Sequence, residues 1–440
     1  MKKHYFYSLL MLISLMGCNS AKANPEAEVV EEVQEGLPVI NLSEGVEEVD
    51  QLNLSDAAER VEIVKLETTR QSLISDIEHI QVTKDDIWVY HLKDARVYRF
   101  DHNGKFLNKV GKIGNGPEEY IRMAFFWVDD HAREVYILTT LSGVKVYDYE
   151  GNFIRVQTKI IMDDIYFAEW YNTPMFYLNG MYFLNQSLAL FRPIDNPVDS
   201  LWSIALVDDS FNKMKLFKNP AHQGHKEEIV ANRAGIAAEN WREDDNSVDF
   251  FNNELTIKFP DTDTIYSFDA SNKELVPSYP ILTSESKGDF ELTHRSPRDR
   301  RAFDLFNMKG HFVTSSYVYL YATKGESVYT YRYDRNTQDV QLWKRDAKIM
   351  ERRRGGVLRY SYSDSSFKLT NDIDGGFFNP KYRSYFNYWI MPLQPGSDDY
   401  EKYVEELKAS PTAPQKQQLL DVIARTGEDD NPILLIAVLK

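Results

Sequence analysis

The sequence predicts an all-β protein assembled from repeated four-stranded antiparallel sheets, and three observations lead to this fold class. Apolar residues come in short runs rich in β-branched and aromatic side chains, as at residues 87–90 and 97–100. This is the composition of pleated, half-buried strands. Turn-forming residues follow such runs, as Asp101 and Gly104 do. The same arrangement then recurs along the chain.

The recurrence has a fixed period. Three turn and strand positions near residue 100 reappear 47 residues later. The matching pairs are Asp101 and Asp148, Gly104 and Gly151, and Phe106 and Phe153. A period of about 40 to 50 residues with several strands in each copy is typical of β-propeller blades. Weaker copies at 177–207, 248–269, 318–334 and 367–391 bring the expected number of blades to six.

The C-terminal segment departs from this pattern. Residues 400–424 carry apolar side chains among charges and predict a helical insertion, which Pro411 and Pro414 interrupt. Residues 433–439 are apolar throughout, as in a strand buried on both faces. A ring of blades exposes strand edges at its seam unless a strand from the other end of the chain completes a blade. We therefore expect residues 433–439 to close the ring.

The N-terminus has the pattern of an export signal. Lys2 and Lys3 precede an apolar run at residues 5–16 that is too short to span a bilayer. Gly17 then stands directly before Cys18, which is the single cysteine of the chain. With no second thiol there is no internal disulfide. This context predicts a lipid-modified Cys18.

The expected domain organisation follows from these segments. Residues 1–17 are the predicted signal peptide and residues 37–440 the propeller. Residues 18–36 are acidic and have few large apolar side chains, which predicts a flexible tether. The net charge of −16 disfavours nucleic acid as a partner, because phosphates would be repelled. The expected partner is a membrane, held through the lipid on Cys18.

Three segments carry a resemblance to a known family. They are the lipobox-like sequence ending at Cys18, the glycine-rich residues 111–120 and the closing residues 430–436. Together with residues 37–40 they resemble the six-bladed β-propeller lipoproteins of Bacteroidota, which are similar in blade pattern to NHL-type propellers. The resemblance covers nearly the whole mature chain, with an insertion between about 163 and 246. It implies a protein anchored in the outer membrane, on either side of it, and it implies no particular reaction. We expect the protein to be a monomer.

The glycine-rich segment is the most distinctive motif. Its residues are Gly111, Gly114, Gly116, Pro117, Glu118 and Tyr120. A phosphate-binding loop would need a helix N-terminus directly after the glycines. Here a proline and two acids follow in an all-β setting, so we interpret the segment as a blade-connecting loop whose glycines permit positive φ angles.

Possible metal ligands have simpler explanations. His222 and His225 stand close together without a third ligand in view, which favours a polar loop. Asp261 and Asp263, and the segment 371–375, place oxygen atoms at alternate positions that calcium accepts. Neither has the closing bidentate glutamate of a calcium loop, and turn chemistry explains both. The sequence therefore predicts no metal site and no cofactor.

Two classes of function remain after these exclusions. The preferred hypothesis is a non-enzymatic module that binds a protein or a glycan at the bacterial envelope. Trp170, Tyr171 and Trp241 are candidate ligand-binding residues because aromatic rings stack on sugars, although such residues more often anchor loops. The alternative is a carbohydrate-active enzyme, a glycoside hydrolase or lyase, with carboxylates, Tyr or Arg in the central funnel. No Gly-x-Ser-x-Gly segment occurs.

Overall fold

Six blades of four antiparallel strands form a six-bladed β-propeller, as the sequence predicts, and an additional parallel strand extends the sheets of two blades. The computed structural model describes residues 36–139, 143–158, 175–178, 180–185, 203–210, 212–221, 246–285, 300–354, 357–384 and 387–440. Residues Leu37–Lys440 form one compact unit. No helix in these described ranges is long and apolar enough to cross a membrane.

Each blade has four strands, which run in order from the innermost to the outermost. Blade 1 comprises Ile77–Val82, Asp86–His91, Arg96–Asp101 and Phe106–Val110. Blade 2 comprises Met123–Asp129, Glu134–Thr139, Gly143–Asp148 and Phe153–Thr158. Blade 3 comprises Met175–Leu178, Met181–Asn185, Ile204–Asp208 and Lys213–Phe217. Blade 4 comprises Ser247–Phe251, Glu254–Lys258, Thr264–Asp269 and Glu274–Leu282. Blade 5 comprises Asn307–Val313, Tyr317–Lys324, Ser327–Asp334 and Val340–Asp346. Blade 6 comprises Tyr382–Ser384, Tyr388–Leu393, Ile433–Leu439 and Ala58–Lys65.

Blade 6 joins the two ends of the propeller. The apolar strand Ile433–Leu439 pairs antiparallel with Tyr388–Leu393 on one side and with the N-terminal strand Ala58–Lys65 on the other. All of its residues except Val438 are buried. The prediction that residues 433–439 lie at the seam is confirmed, and the buried pattern explains why this strand carries no polar face.

An N-terminal belt, residues 40–65, runs along the outer edges of three blades. Ile40–Asn41 pairs in parallel with the outermost strand of blade 4. Val46–Val49 then pairs in parallel with the outermost strand of blade 5. After the short helix Leu54–Ala57, the strand Ala58–Lys65 completes blade 6. The belt therefore covers edges that would otherwise offer unpaired backbone groups.

The core lies between blades rather than inside one of them. Trp88 of blade 1 packs against Tyr149, which follows the third strand of blade 2, with ring centroids 4.7 Å apart. Trp127 of blade 2 contacts Tyr182 of blade 3 in the same way, at 4.9 Å. Each sheet thus buries both faces against its neighbours, which explains the high content of large aromatic residues.

Two details of the prediction for blade 6 were wrong. Residues 367–369 and 376–378 do not belong to the blade, because Leu369–Thr370 and Phe377–Phe378 pair with each other in a separate two-stranded sheet. The turn at 371–376 holds these two strands together locally. A second hairpin of Ile349–Arg354 and Val357–Tyr362 precedes it and was not predicted.

The helical insertion lies between the second and third strands of blade 6. It consists of the helices Asp398–Ala409 and Lys416–Ala424. Ser397 caps the first helix by accepting a hydrogen bond from the Tyr400 N–H at 3.2 Å. Tyr403 and Leu407 are buried against the blade, so the insertion is packed onto the propeller and not a free appendage. Its position before the closing strand agrees with the prediction.

We expect Ile436→Ala to destabilise the protein by about 2 to 5 kcal/mol, because it leaves a cavity where Ile436 packs with Ile80 and Ile390 across the seam. The control is Val438→Ala on the same strand, whose side chain is partly exposed and should cost about 1 kcal/mol or less. Urea denaturation of both variants measures the difference. Equal losses would contradict the role assigned to the seam.

Candidate functional site

One face of the ring carries the links between blades. Successive strands of a blade run in opposite directions, so these links share a face with the turns between second and third strands. A cleft of about 630 Å³ opens on this face, between blade 1 and the helical insertion of blade 6. Residues 75–78, parts of the segment 363–381 that leads into blade 6, and the first turns of helix Asp398–Ala409 line it.

Charged side chains of both signs line the cleft. They are Asp76, Glu78, Asp364, Asp399, Lys368, Lys381 and Lys402. Lys368 Nζ lies 2.6 Å from Asp364 Oδ2. Burial alone would raise the pKa of Asp364, but hydrogen bonds from Lys368 and Ser366 outweigh it and lower the pKa to about 2. Burial raises the pKa of Glu78, and the charge of Lys381 partly offsets this effect. The acids and lysines nearly balance, so the cleft has little net charge.

Aromatic side chains form one wall of the cleft. Lys368 Nζ lies 3.6 Å from the centroid of the Phe377 ring, and Tyr403 packs edge-on against the same ring at 5.1 Å. Tyr400 lines the cleft from the first helical turn. Asn379 and Gln394 also line the cleft. A mixed wall of rings, amides and hydroxyl groups suits an uncharged polar ligand.

The loop at residues 371–376 carries two carboxylates with different surroundings. Asp372 accepts hydrogen bonds from the backbone N–H and the hydroxyl group of Ser55, whereas Asp374 points inward and is fully buried. Asn371 Nδ2 donates to Asp374 Oδ2 at 3.3 Å. Burial raises the pKa of Asp374 to about 7, and the hydrogen bond from Asn371 offsets only part of this. The two carboxylates point to different partners, in keeping with the turn interpretation.

The other possible metal ligands divide between two parts of the chain. His222 and His225 lie outside the described residues. Asp261 lies in a turn with a φ of 64°, where the Thr262 hydroxyl group donates to the Phe259 carbonyl at 2.9 Å. Among the described residues no cluster of three His, Cys, Asp or Glu side chains is placed to hold a metal ion.

The glycine-rich segment lies between the outermost strand of blade 1 and the innermost strand of blade 2. Gly111 has a φ of 98°, and a Cβ atom there would lie 2.0 Å from the Tyr120 hydroxyl oxygen. Tyr120 is buried, and its hydroxyl group donates to the Ala95 carbonyl at 2.8 Å. Gly114 has a φ of 157°, and Glu119 Oε2 accepts a hydrogen bond from the Gly116 N–H.

The blade 2 strands hold the same loop from the other side. Lys145 Nζ donates to the Pro117 carbonyl at 2.6 Å, and the Tyr147 hydroxyl group donates to the Glu118 carbonyl at 2.6 Å. The loop therefore makes its polar contacts within the protein and links two blades. The remaining candidates, Cys18, Trp170, Tyr171 and Trp241, lie outside the described residues.

A polar cluster links the innermost strands of three blades. Asp249 of blade 4 accepts hydrogen bonds from Arg383 Nη1 of blade 6 at 3.0 Å and from the Val313 N–H of blade 5. His311 of blade 5 is fully buried between the hydroxyl groups of Ser247 and Thr256, at 3.0 and 2.9 Å.

Burial explains the protonation of this cluster. It raises the pKa of Asp249, an effect that Arg383 opposes, and it lowers the pKa of His311 well below the usual range. These hydrogen bonds connect the innermost strands of blades 4, 5 and 6, so the cluster joins three blades near the axis.

A second polar network lies at the rim of the cleft, and it was not predicted from the sequence. Ser75 Oγ lies 3.2 Å from His91 Nε2, and His91 Nδ1 lies 2.9 Å from Asp94 Oδ1. The Tyr98 hydroxyl group donates to the other Asp94 oxygen at 2.8 Å. Lys109 Nζ lies 2.6 Å from the Tyr98 hydroxyl oxygen. Ser75 is exposed and lines the cleft, whereas His91 is buried.

The fold and the cleft define the class: a six-bladed β-propeller with a ligand-sized cleft beside a helical insertion. The chain belongs to the DUF4934 family, a domain of unknown function, whose model matches residues 37–438. A comparison with curated proteins gives no match.

This chain is similar to two solved structures. One is a protein of Bacteroides fragilis that is predicted to be exported, with a TM-score of 0.56 and 14% identity over 91% of this chain and 99% of that chain. The other is a DUF4221 family member from Bacteroides vulgatus, with a TM-score of 0.46 and 11% identity over 87% of this chain and 97% of that chain. The first likeness shows a shared fold and nothing about ligands.

We expect Asp374→Asn to stabilise the protein at pH 8 by roughly 2 kcal/mol and to change it little at pH 4. The folded-state pKa of Asp374, about 7, exceeds the usual value of about 3.9. The folded protein therefore binds this proton more tightly than the unfolded chain, and its stability falls as the pH rises from about 4 to 7. The neutral amide removes that loss.

Urea denaturation at pH 4, 6 and 8 measures this effect. The control is Asp372→Asn in the same loop, which weakens the hydrogen bonds from Ser55 and should not stabilise the protein at pH 8. A variant Asp374→Asn that is less stable than the parent at pH 8 would refute the assignment.

Proposed function

We propose that this protein is a lipid-anchored binding module of the bacterial cell envelope and that its ligand occupies the cleft beside the helical insertion. The cleft is the observation that carries the proposal. Its volume of about 630 Å³ lies in the range of small-ligand sites, and rings and polar groups share its walls. The packed blades behind it form a rigid support, which lowers the entropic cost of binding.

The proposed ligand is a neutral, hydroxyl-rich chain, such as part of a glycan. The nearly balanced charges of the cleft give no strong attraction for an anion or a cation. Lys381, Asn379 and Gln394 supply hydrogen bonds, and Tyr400 supplies an aromatic surface. A peptide segment has similar chemistry, and a direct comparison of the two ligand types is part of the test.

The location rests on the N-terminal sequence and on the resemblance of blade patterns. Gly17 before the lone Cys18 supports lipid attachment, and the acidic residues 19–36 support a tether that keeps the propeller off the membrane. Similarity to a Bacteroides fragilis protein that is predicted to be exported agrees with an envelope location. We infer the outer membrane as the site of anchoring, with the propeller on either side of it.

We expect Lys381→Ala to weaken binding of the cleft ligand roughly tenfold, because a charge-assisted hydrogen bond of about 1.4 kcal/mol is lost. A glycan array and a peptide panel identify the ligand, and calorimetry gives the dissociation constants. The control is Lys105→Ala, an exposed lysine in a turn on the opposite face, which should leave affinity unchanged. Equal effects of the two variants, or no binding on either panel, would count against the cleft.

We expect Cys18→Ala to move the protein from the membrane fraction to the soluble fraction, because the acyl chains attach through this thiol. Fractionation of cells that incorporate labelled palmitate reports attachment and location together. Ser20→Ala, two residues away, is the matched control and should remain membrane-bound and labelled. Retention of Cys18→Ala in the membrane fraction would refute the lipid anchor.

A further inference from the structure

We propose that Ser75 is the nucleophile of an ester-hydrolysing site at the rim of the cleft, with His91 as its general base and Asp94 as the residue that positions His91. The three residues come from three separate pieces of blade 1. Ser75 precedes the innermost strand, His91 ends the second strand, and Asp94 lies in the turn that follows. The fold brings the three side chains into contact in the order Ser75, His91 and Asp94 at the edge of the cleft.

The hydrogen bonds define the tautomer of His91. The Asp94 carboxylate only accepts hydrogen bonds, so Nδ1 of His91 carries a proton and donates to it at 2.9 Å. Nε2 is then unprotonated, and it accepts from the Ser75 N–H at 3.3 Å and faces Ser75 Oγ at 3.2 Å. This is the tautomer that a general base requires beside a serine.

Neighbouring groups keep Asp94 ionised. Burial alone would raise the pKa of Asp94, but hydrogen bonds from His91 and Tyr98 and the charge of Lys109 outweigh it and lower the pKa to about 2. Lys109 Nζ lies 3.3 Å from Asp94 Oδ2. The carboxylate can therefore hold the imidazole ring over the whole physiological pH range.

The same contacts fix the histidine ring. Tyr98 packs edge-on against His91 at 5.3 Å with perpendicular ring planes, and its hydroxyl group binds Asp94. The side chain of His91 is 7% exposed, so water has little access to the imidazole ring. Ser75 itself is exposed at the cleft. A rigid, buried base beside an accessible hydroxyl group is the arrangement that nucleophilic catalysis needs.

Asp76 offers a competing acceptor for the serine proton. Its Oδ2 atom lies 3.3 Å from Ser75 Oγ, against 3.2 Å for His91 Nε2. Both side chains of this pair are exposed, so water screens the contact and competes for it. We assign the proton transfer to His91, because the buried ring is held in place and Asp76 is not.

The proposed substrate is a carboxylic ester of a neutral polar alcohol, such as an O-acylated sugar. Ser75 Oγ attacks the carbonyl carbon while its proton passes to His91 Nε2. His91 then gives this proton to the departing alcohol oxygen as the ester C–O bond breaks, which leaves an acyl group on Ser75. Water attacks the acyl-serine with His91 again taking and returning a proton, and the carboxylic acid leaves. The net reaction consumes one ester and one water.

The proposal uses the cleft of the proposed function but does not require its ligand. A small fluorophosphonate probe reacts with activated serines directly, so labelling and glycan binding fail independently. We expect the full chain to form a covalent adduct that mass spectrometry locates at Ser75, and Ser75→Ala to form none. We also expect hydrolysis of p-nitrophenyl acetate by the parent protein and not by Ser75→Ala.

The base and its positioning residue have separate tests. His91→Gln should lower the labelling rate at least 100-fold, and Asp94→Asn at least tenfold, since an amide in place of the carboxylate can hold the wrong tautomer. The pH dependence of the labelling rate in the parent protein should differ from that in His91→Gln, because only the parent carries the imidazole base. Thermal unfolding shows whether each variant is folded, and Asp94→Asn keeps the test valid should His91→Gln unfold.

Two further variants complete the set. Ser363→Ala removes another exposed serine of the same cleft, one that has no histidine partner, and should leave labelling unchanged. Asp76→Asn tests the competing acceptor, because Asp76 Oδ2 also accepts a hydrogen bond from Ser75 Oγ, and its effect on labelling should be much smaller than that of His91→Gln. An unlabelled parent protein, an adduct at Ser363, or labelling that depends on Asp76 and not on His91 would each overturn the proposal.

Discussion

The whole structure depends on one interaction. The last strand of the chain pairs with a strand formed by residues near its beginning. Ile433–Leu439 lies between Tyr388–Leu393 and Ala58–Lys65, so blade 6 forms only when both ends of the chain meet. Such a contact spans almost the full sequence and carries a large loop-closure entropy. Burial of an apolar strand on both faces offsets this cost, and the closed ring then holds each blade against two neighbours.

The closed ring also explains where the cleft stands. The first strands of blades 6 and 1 meet at the seam, where the Tyr382 hydroxyl group donates to the Ile77 carbonyl at 3.0 Å. The helical insertion leaves blade 6 directly before the closing strand and packs against buried residues of blades 5 and 6. The cleft lies between this insertion and blade 1, beside the junction of the first and last blades. Its residues 75–78 and 397–403 are far apart in sequence and are brought together by ring closure.

Sequence repetition made most of the fold predictable, whereas the residues of the site could not be predicted from the sequence. The matched positions of Asp101 and Asp148 revealed the period, and the apolar run at 433–439 revealed the closing strand. Phe377–Phe378 was misplaced because two-residue strands carry no periodic signal and local turns decide their partners. The network of Ser75, His91 and Asp94 was not predictable because its residues form no local sequence motif. The three residues are separated along a β-hairpin, and only the register of the blade 1 strands shows that they lie close together.

The N-terminal belt gives the propeller a particular mechanical character. A pull on the chain at residue 37 first meets the parallel pairing of Ile40–Asn41 with blade 4, and then that of Val46–Val49 with blade 5. Tension from the N-terminal side therefore first breaks the pairing of these two short strands. The force reaches the closing strand only after both accessory strands have detached. The belt therefore protects ring closure from tension applied at the N-terminus.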